Sequence, residues 1–367
     1  MRLYFLGTGS QKPTKTRNVT SIALILDNGH FILFDCGEAT QHQIIKSELS
    51  FSNLNSIFIT HLHGDHIFGL PGLLCTLNDV FEGKDFNIYG PLGLKSFLNA
   101  TLLNGIHGML RYRLNIIEFK STLQTKLDSK IEINTTNNQT YFIQNFPVKH
   151  TLEEQGSTYG FVIKKKDQII KFKDPIKSGL FELLERNNTY VLDWVKQNTK
   201  KNIKNIKSIL SILQNTNYDL VINDVKFGKV NIRNDLRFTE YPVIGKCICL
   251  IIDTCNSNRA IEALNDHECD ALIHEATNAK TSLDDEKTYI QIENETIKHG
   301  HSTPQMAGRF AKLLGAKKLI LTHFSSRYKG DDNEESMKLM DEIKNSAINE
   351  FSNNNVIIAR DFMDLEI

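Results

Sequence analysis

The sequence predicts an α/β fold in which two β-sheets pack face to face between layers of helices. Apolar runs of the kind that form buried strands occur in the first third of the 367-residue chain and again after Gly245. Segments that look helical follow these runs in both halves. Polar residues stand at the ends of several runs, where sites gather in open α/β sheets. Each half is therefore expected to supply strands, covering helices and part of a site.

The first part of the chain alternates short strands with turns. Asp27-Asn28-Gly29 has the residue types of a β-hairpin turn between the second and third strands. A later hairpin is expected to have a polar tip near Asn134–Gln139. The predicted strands lie at residues 2–6, 20–27, 30–35, 86–89 and within 111–150, and the predicted helices lie at residues 37–47 and 66–80.

The segment from Lys164 onwards differs in composition from the rest of the chain. Between Lys164 and Lys207 there are twelve Lys or Arg residues against five Asp or Glu. One or two helices with linkers are predicted at residues 176–214. Two interpretations of the excess positive charge remain open. The segment is either a solvated helical face in which lysine is used often, or an inserted arm that binds a polyanion.

From Gly245 the pattern of buried strands returns. Three apolar runs each end in polar residues: Cys247–Ile252 in Asp253-Thr254, Ala271–Ile273 in His274-Glu275, and Lys318–Leu321 in Thr322-His323. A helix is predicted near residues 303–315, because Pro304 suits its first turn and Gly315 its end.

Composition limits the class of protein. The chain has 43 basic and 43 acidic residues. This balance and the pI of about 7.2 argue against a protein that coats polyanions without specificity. The six cysteines form no Cys-x-x-Cys pair, as expected of small buried residues in a reducing compartment. No apolar run is long enough to span a membrane. No targeting segment is seen if Met1 is the true start, so a cytoplasmic or nuclear location is expected.

The most informative stretch is Thr60-His61-Leu62-His63-Gly64-Asp65-His66, which directly follows an apolar run. Gly64 allows a tight turn after the strand, so the three histidines and Asp65 can converge. Imidazole and carboxylate are ligands of zinc-type divalent metals. Four ligands in so short a loop suggest that two metals share it. The alternative is a surface turn that happens to be rich in histidine.

A pair of metals needs further ligands from other strand ends. His150, Asp253 and His323 stand at such positions, and Asp253 is suited to bridge two metals. Taken singly, His150 and His323 could be structural histidines and Asp253 a helix N-cap. A two-metal site activates a water and neutralises a phosphoryl oxygen in an in-line displacement.

At this point the residues resemble the metallo-β-lactamase superfamily and, within it, the ribonuclease Z family, endonucleases that remove the 3′ trailer of precursor tRNA. The resemblance spans residues 1–163 and 245–330. The first loop indicates the superfamily, and the later stretches indicate the ribonuclease Z branch. The matching stretches are Phe5–Ser10 with Pro13, Arg17 and Asn18; His61–His66; His274–Thr277; His301–Thr303; and Leu321–Tyr328.

The resemblance implies a fold, a cofactor and an oligomeric state. It implies one metallo-β-lactamase-like domain over residues 1–367, an αββα sandwich of two mixed β-sheets flanked by helices, with residues 164–244 as an inserted basic arm-like segment. It implies a homodimer, as in the short form of the family, and two Zn²⁺ ions per chain. One zinc would be held by His61, His63 and His150, the other by Asp65, His66 and His323, with Asp253 bridging.

The catalytic roles are likewise implied by the resemblance. Asp65 would be the general base toward the water, and Glu275 with His301 would be the acid that protonates the departing O3′. The products would be a tRNA 3′-OH and a 5′-phosphate on the trailer. A purely structural Glu275–His301 pair is the alternative. The implied substrate-binding residues are Arg17, Asn18, Ser302, Thr303 and Arg327.

The segment that would form the arm departs from the family pattern. The family's arm has a Gly/Pro-rich tip that binds the tRNA elbow, and no clear tip of that kind is visible here. Lysines of the segment would still provide salt-sensitive phosphate contacts. Two other functions remain open: another phosphodiesterase or small-molecule hydrolase on the same fold, and an inactive binding subunit. None of the seven ligand positions is lost, which argues against the inactive subunit.

Overall fold

The structure is a computed structural model of the chain. It describes all residues except 104–109, 136–138, 151–157, 168–170, 174, 176–177, 200–205, 216–219, 233–236, 241–244, 266 and 285. The described chain divides into two compact units, one of residues 1–165 with 246–367 and the other of residues 166–245.

The described residues contain eighteen strands and twelve α-helices. The strands are β1 (Arg2–Gly7), β2 (Ser21–Ile25), β3 (Phe31–Phe34), β4 (Leu54–Phe58), β5 (Asp85–Gly90), β6 (Arg113–Glu118), β7 (Ile131–Asn134), β8 (Thr140–Val148), β9 (Thr158–Lys165), β10 (Lys171–Phe172), β11 (Val221–Asp224), β12 (Gly228–Asn231), β13 (Thr239–Glu240), β14 (Cys247–Ile251), β15 (Ala271–Glu275), β16 (Leu319–Thr322), β17 (Val356–Ile358) and β18 (Asp364–Glu366). The helices are α1 (Thr40–Lys46), α2 (Gly64–Ile67), α3 (Leu70–Thr76), α4 (Asn78–Phe81), α5 (Leu94–Leu98), α6 (Leu180–Arg186), α7 (Asn188–Thr199), α8 (Ile206–Asn215), α9 (Arg259–Leu264), α10 (Tyr289–Lys298), α11 (Pro304–Leu313) and α12 (Glu334–Phe351).

The larger unit is built on two mixed seven-stranded sheets. The first has the order β18-β1-β2-β3-β4-β5-β6 and the second the order β17-β16-β15-β14-β9-β8-β7. In the first sheet the expected hairpin joins β2 and β3, with Gly29 at φ 82°. From β3 to β6 the strands run parallel. β3 is apolar and buried at every position, as a strand covered on both faces requires, whereas β6 at the edge of the sheet has polar residues and is only partly buried.

The two sheets pack on each other through apolar side chains. The rings of Phe34 and Phe58 from the first sheet lie 5.3 and 5.6 Å from the ring of Phe161 in the second. Helices cover the outer faces: Leu73 of α3 packs with the first sheet, and Ile343 of α12 packs with the second. The predicted fold class, two mixed sheets flanked by helices, is confirmed.

The direction of the strands explains why distant polar residues meet. β14, β15 and β16 are parallel, and β9 lies antiparallel between β14 and β8. β8 therefore points the same way as β14, and the carboxyl ends of β8, β14, β15 and β16 share one edge of the sheet. His150, Asp253, Glu275 and His323 lie at that edge.

Several element boundaries differ from those predicted. The helix expected at residues 66–80 starts earlier, at Gly64, and is broken into α2, α3 and α4, with Pro71 in the first turn of α3. The helix expected at residues 303–315 is α11, and Gly315 follows it at φ 60°. β18 and α12 were not predicted. The centre of the hairpin tip, residues 136–138, lies outside the described residues.

The smaller unit has a core of its own. Its two small sheets pair β10 with β13 and β11 with β12. Three described helices, rather than the one or two expected, supply the core residues Leu183, Val195 and Leu213, which cluster with Ile222 and Phe238. Part of the predicted helical region, residues 176–177 and 200–205, lies outside the described residues.

Two expectations from composition can be compared with the structure. All six cysteines are free thiols, and four of them are buried. No helix in the described part of the chain is both long and apolar enough to cross a bilayer.

Candidate metal centre

The loop after β4 brings its histidines and its aspartate to one place. His61 and His63 follow the strand end, and α2 begins at Gly64, so Asp65 and His66 lie on its first turn. The ring centroids of His61 and His66 are 4.2 Å apart, and those of His61 and His63 are 4.5 Å apart. The loop thus forms a cluster, not a dispersed surface turn.

All seven predicted metal ligands meet at this cluster. They form two groups of four that share Asp253, and within each group one possible ligand atom per residue lies within 4.8 Å of the others. Both groups have the donor set that suits a zinc-type metal. The groups are His61, His63, His150 and Asp253, and Asp65, His66, Asp253 and His323.

Asp253 lies between the two groups, at the position of a bridge. Its Oδ2 is 3.2 Å from Nε2 of His61 and 3.1 Å from Nε2 of His66, while its Oδ1 is 2.9 Å from Nε2 of His323. Asp253 and His323 both have left-handed backbones, at φ 53° and 56°. Non-glycine residues rarely adopt that conformation, and they cluster at functional sites when they do. Asp253 does not cap a helix, since α9 starts at Arg259.

The second ring nitrogens of two histidines are held by buried groups at the ends of β3 and β4. Nδ1 of His66 is 2.7 Å from Oδ2 of Asp35, and Nδ1 of His61 is 3.0 Å from Oγ1 of Thr60. The Thr60 hydroxyl and backbone N–H also donate to Asp35. Such partners orient metal-binding imidazoles so that Nε2 faces the centre.

The histidines from the second sheet are oriented in the same way. Nδ1 of His150 is 2.7 Å from the carbonyl oxygen of Gly300, and Nδ1 of His323 is 2.9 Å from Oγ1 of Thr277. Gly300 is at φ 80°, and a Cβ there would lie 2.2 Å from the His150 carbonyl oxygen. Only glycine allows this close approach.

Four buried polar atoms at the centre have no hydrogen-bond partner among the described residues: Nε2 of His61, His66 and His323, and Oδ1 of Asp253. Buried polar atoms in proteins are nearly always satisfied. Here each of the three unsatisfied Nε2 atoms lies 2.9 to 3.2 Å from an oxygen of the Asp253 carboxylate. The donor set therefore fits a bound cation.

The ionisation of the cluster agrees with a cation site. Burial lowers the pKa of His61 to about 4, so this imidazole is neutral, as a metal ligand must be. Burial also opposes protonation of His323, but Asp253 and Asp65 raise its pKa to about 10. Burial opposes ionisation of Asp253, yet His323 and His66 hold its pKa well below its usual value. The raised pKa values of His66 and His323 show that these carboxylates favour positive charge beside them. A bound divalent cation would supply that charge in place of the protons on the two imidazoles.

Glu275 and His301 form a buried pair beside this centre. Oε2 of Glu275 is 3.1 Å from Nδ1 of His301, which is itself 3.7 Å from Oδ1 of Asp253. Oε1 of Glu275 accepts from the backbone N–H of Thr254 at 2.5 Å, and the Thr277 hydroxyl donates to Oε2. Burial opposes a charge on His301, but Glu275 raises its pKa. The pair is built to hold an imidazolium next to the candidate metals.

Arg17, predicted to bind substrate, is buried and structurally engaged. It is 2% exposed. Its Nε donates to the carbonyl of Tyr328 at 2.9 Å, and one terminal nitrogen donates to the carbonyl of Ala359 at 3.0 Å. Its guanidinium lies 4.5 Å from the ring centroid of Phe324. This geometry does not favour direct contact of Arg17 with a substrate.

Replacement of Arg17 by methionine should destabilise the protein by roughly 2–6 kcal/mol. The change leaves two buried carbonyls without donors, at about 1–3 kcal/mol each. Urea unfolding at saturating zinc measures the effect, with the exposed Arg113→Met as the control. If Arg17→Met unfolded like the wild type but bound precursor tRNA poorly, the substrate-binding role would be favoured instead.

Ser302 and Thr303 are also buried in structural contacts. The Ser302 hydroxyl donates to the carbonyl of Thr254, and the Thr303 hydroxyl caps α11 by accepting from the backbone N–H of Met306. These contacts fix the loop that carries His301. A direct substrate role for either residue remains a prediction that the geometry does not favour.

Asn18 and Arg327 are more accessible. The Asn18 side chain donates to the carbonyl of Glu38, and the Arg327 side chain is 41% exposed while pairing with Asp284. Their substrate-binding roles remain predictions.

Several residues that position the site were not predicted from the sequence. They are Asp35, Thr60, Thr277 and Gly300, which hold the imidazoles, and Asp361. Asp361 accepts from the backbone N–H groups of Thr8 and Asn18 at 3.0 and 2.6 Å. Asp35 follows an apolar strand, and this signal could have revealed it.

Comparisons with curated proteins and with solved structures both find relatives that match the whole chain. "Zinc phosphodiesterase ELAC protein 1" of Bos taurus is 33% identical over 383 residues, which cover 100% of this chain and 98% of the relative. "Ribonuclease Z" of Pediococcus pentosaceus is 32% identical over 375 residues, with full coverage of both chains. A family model described as "Anti-Pycsar protein Apyc1" matches residues 1–228. That match ends before Asp253, Glu275, His301 and His323.

Solved structures resemble the chain over its full length. The crystal structure of human tRNase Z, short form, superposes with a TM-score of 0.60 at 27% identity, covering 100% of this chain and 99% of that one. The metallo-β-lactamase fold protein YhfI from Bacillus subtilis gives a TM-score of 0.55 at 15% identity, covering 100% of this chain and 99% of that one, and shows the fold alone.

Proposed function

Because the chain belongs to the ribonuclease Z family of metallo-β-lactamase fold proteins, as its full-length relatives show, we propose that it is a zinc-dependent endoribonuclease that removes the 3′ trailer of precursor tRNA. The observation that carries the proposal is the buried Glu275–His301 pair 3.7 Å from the candidate metal centre. A pair of this kind suits the release of a poorly acidic ribose hydroxyl, which needs a proton to depart.

Two zinc ions per chain would occupy the centre. His61, His63 and His150 would hold one, Asp65, His66 and His323 would hold the other, and Asp253 would bridge them. When bound, zinc lowers the pKa of water and neutralises charge on a phosphoryl oxygen. The unsatisfied Nε2 atoms and the shared position of Asp253 support this assignment.

Asp65 would accept a proton from the attacking water. Its Oδ2 receives the backbone N–H of Gln11 at 2.7 Å, which fixes the carboxylate at the rim of the centre. Gln11 holds this N–H in place from a left-handed conformation at φ 63°. Burial opposes ionisation of Asp65, but His66 and His323 hold its pKa well below its usual range, so the carboxylate starts as a base.

His301 would supply the proton to the departing O3′. Its Nδ1 faces Glu275, which leaves Nε2 to meet the leaving group. Glu275 is fully buried and is fixed by Thr254 and Thr277, so it holds the imidazole in one orientation. The products are a tRNA with a 3′-OH and a trailer with a 5′-phosphate.

Recognition of tRNA would rest mainly on shape and phosphate contacts. The predicted arm, residues 164–244, has the excess of basic residues that such contacts need. We further propose that the protein is a homodimer that works where precursor tRNA is made, in the cytoplasm or nucleus. Size-exclusion chromatography with light scattering tests the dimer.

A gel assay on precursor tRNA tests the function. The protein with zinc should release the trailer in one cut, with a 3′-OH on the tRNA and a 5′-phosphate on the trailer. A chelator should stop the reaction, and added zinc should restore it. An intact precursor after incubation with zinc-loaded protein would refute the proposal.

The second candidate is a phosphodiesterase that acts on a smaller substrate. The name of the bovine relative, zinc phosphodiesterase, specifies the bond that is cleaved and not an RNA substrate, which favours this candidate. The full-length match to ribonuclease Z favours RNA. Hydrolysis of small nucleotide phosphodiesters by a protein that leaves precursor tRNA intact would select this alternative.

A further inference from the structure

A cleft beside the candidate metal centre combines His63 and Asp65 of the proposed chemistry with residues that this chemistry does not use. It has a volume of about 430 Å³. Its lining includes the loop Gln11–Pro13 and the turn His63–Asp65. None of the residues that line it belongs to the proposed acid, Glu275 with His301.

The cleft contains an exposed aromatic ring, which is unusual next to a catalytic carboxylate. Phe68 lines the cleft and is 63% exposed. Its ring packs directly against the backbone of Gly64: a Cβ added at Gly64 would lie only 2.4 Å from the ring carbon Cε2. The backbone thus supports the ring, and most of its surface faces solvent. A fixed, exposed ring is a platform on which a nucleobase can stack.

A cation that is free of ion pairs among the described residues lines the same cleft. The Lys12 side chain is exposed and makes no ion pair with any described residue. Glu38 and Asp65 are the carboxylates that line the same cleft. They would repel a phosphate group, so a phosphate would lie at the Lys12 end. The cleft therefore offers a stacking surface and a separate place for an anion, which is the pattern of a nucleotide.

We propose that this cleft is a subsite for the first nucleotide of the trailer, with its base stacked on Phe68 and its 3′ phosphate next to Lys12. The proposal rests on the proposed function. The general acid must lie beside the departing O3′, which stays with the tRNA. The nucleotide at the Asp65 side, away from the acid, is therefore the one that follows the scissile bond.

The test compares a normal precursor tRNA with one that has an abasic first trailer nucleotide. The abasic change should raise the KM of the wild-type protein roughly tenfold, the usual scale for the loss of one stacked base. Phe68→Ala should raise the KM for the normal precursor by a similar factor. It should cause no further rise in the KM for the abasic precursor. Phe68→Trp should restore the normal KM. Lys12→Ala should raise KM. It should also reduce the slope of log KM against log salt concentration by about one, because one fewer counterion is released on binding.

Matched controls separate the subsite from general effects. Phe362→Ala removes another exposed aromatic ring and Lys338→Ala another exposed cation, and neither should distinguish the two precursors. A Phe68→Ala effect of equal size on both precursors would overturn the proposal. The proposal would also be overturned if the Phe68→Ala effect disappeared on a precursor whose last tRNA nucleotide is abasic. That result would mean that the cleft binds the tRNA side of the scissile bond. If Phe68→Ala changed the sedimentation of the protein and its effect on KM did not depend on the trailer base, the ring would instead be assigned to contacts between copies of the chain.

A binding measurement keeps the subsite testable if cleavage fails. A short 5′-phosphorylated RNA should bind the zinc-loaded wild type more tightly than Phe68→Ala, and removal of its first base should abolish the difference. If the wild type and Phe68→Ala bound this RNA equally tightly, the proposed subsite would be overturned. An intact precursor together with a clear difference would refute only the proposed function.

Discussion

Replacement of Asp65 by alanine should lower kcat for precursor tRNA by more than roughly 10⁴-fold. A general base alone contributes about 10²–10⁴-fold, and Asp65 is also a proposed zinc ligand, so two contributions are lost together. The geometry supports both roles, because Oδ2 lies 3.5 Å from Nε2 of His66 and 3.7 Å from Nε2 of His323. Single-turnover cleavage at saturating enzyme measures the effect without interference from product release.

Metal analysis of the same proteins separates the two contributions. The wild type should contain about two zinc ions per chain. Asp65→Ala should contain fewer, because His66, His323 and Asp253 would remain as the only protein ligands of one ion. The control is Asp79→Ala, which removes a side chain that is 90% exposed and pairs with Arg111 on the surface. It should match the wild type in rate and in metal content.

Two outcomes would contradict this account. A wild-type protein that holds at most one zinc ion per chain, even after addition of zinc, would rule out the two-metal centre. An Asp65→Ala variant with full metal content and nearly normal cleavage would show that the base lies elsewhere.

The sequence was sufficient to predict the fold class and the seven candidate ligands, for a definite physical reason. A buried parallel strand is an apolar run, and the first polar residue after it must lie at the edge of the sheet. Asp253 is the first polar residue after its run, whereas His61 and His323 each follow a threonine that holds that position. Their convergence also needs the two sheets to pack face to face, because β4 lies in the first sheet and β14 and β16 lie in the second.

The partners of the imidazoles were beyond this reasoning. The Gly300 carbonyl that holds His150 is 150 positions away in sequence, and any residue type offers a carbonyl. Thr277 and His323 meet only because β15 and β16 are neighbours in the sheet. Such contacts depend on strand order and register, which the residue pattern of a single strand does not contain.

The buried state of Arg17 was missed for a similar reason. Arginine in a loop suggests a solvent-facing or anion-binding residue, but its acceptors are carbonyls of Tyr328 and Ala359, more than 300 positions away. The C-terminal segment that supplies them includes β18, which pairs with β1. Residues 331–367, which supply Ala359, carried no recognisable motif. They nevertheless complete the first sheet and place Asp361 where it accepts from the backbone N–H of Asn18.

Replacement of His301 by alanine should lower kcat for precursor tRNA by roughly 10²–10⁴-fold, the reach of a general acid, and leave the zinc content near two per chain. His301 is not among the proposed zinc ligands. Glu275 would keep the contacts with Thr254 and Thr277 that hold it in place. His299→Ala is the matched control, because it removes an exposed histidine two positions away and should leave cleavage unchanged.

The chemical nature of the leaving group gives the decisive comparison for His301. The ribose O3′ is strongly basic when it departs and needs a proton, whereas p-nitrophenolate departs without one. With methyl p-nitrophenyl phosphate as substrate, His301→Ala should therefore retain a rate within about tenfold of the wild type, while Asp65→Ala should lose activity on both substrates. Glu275→Gln should resemble His301→Ala in this selectivity with a smaller loss, because the amide no longer stabilises the imidazolium but keeps the ring oriented. If His301→Ala slowed both substrates equally, the residue would serve the metal centre or the attacking water, and the acid would have to be sought elsewhere.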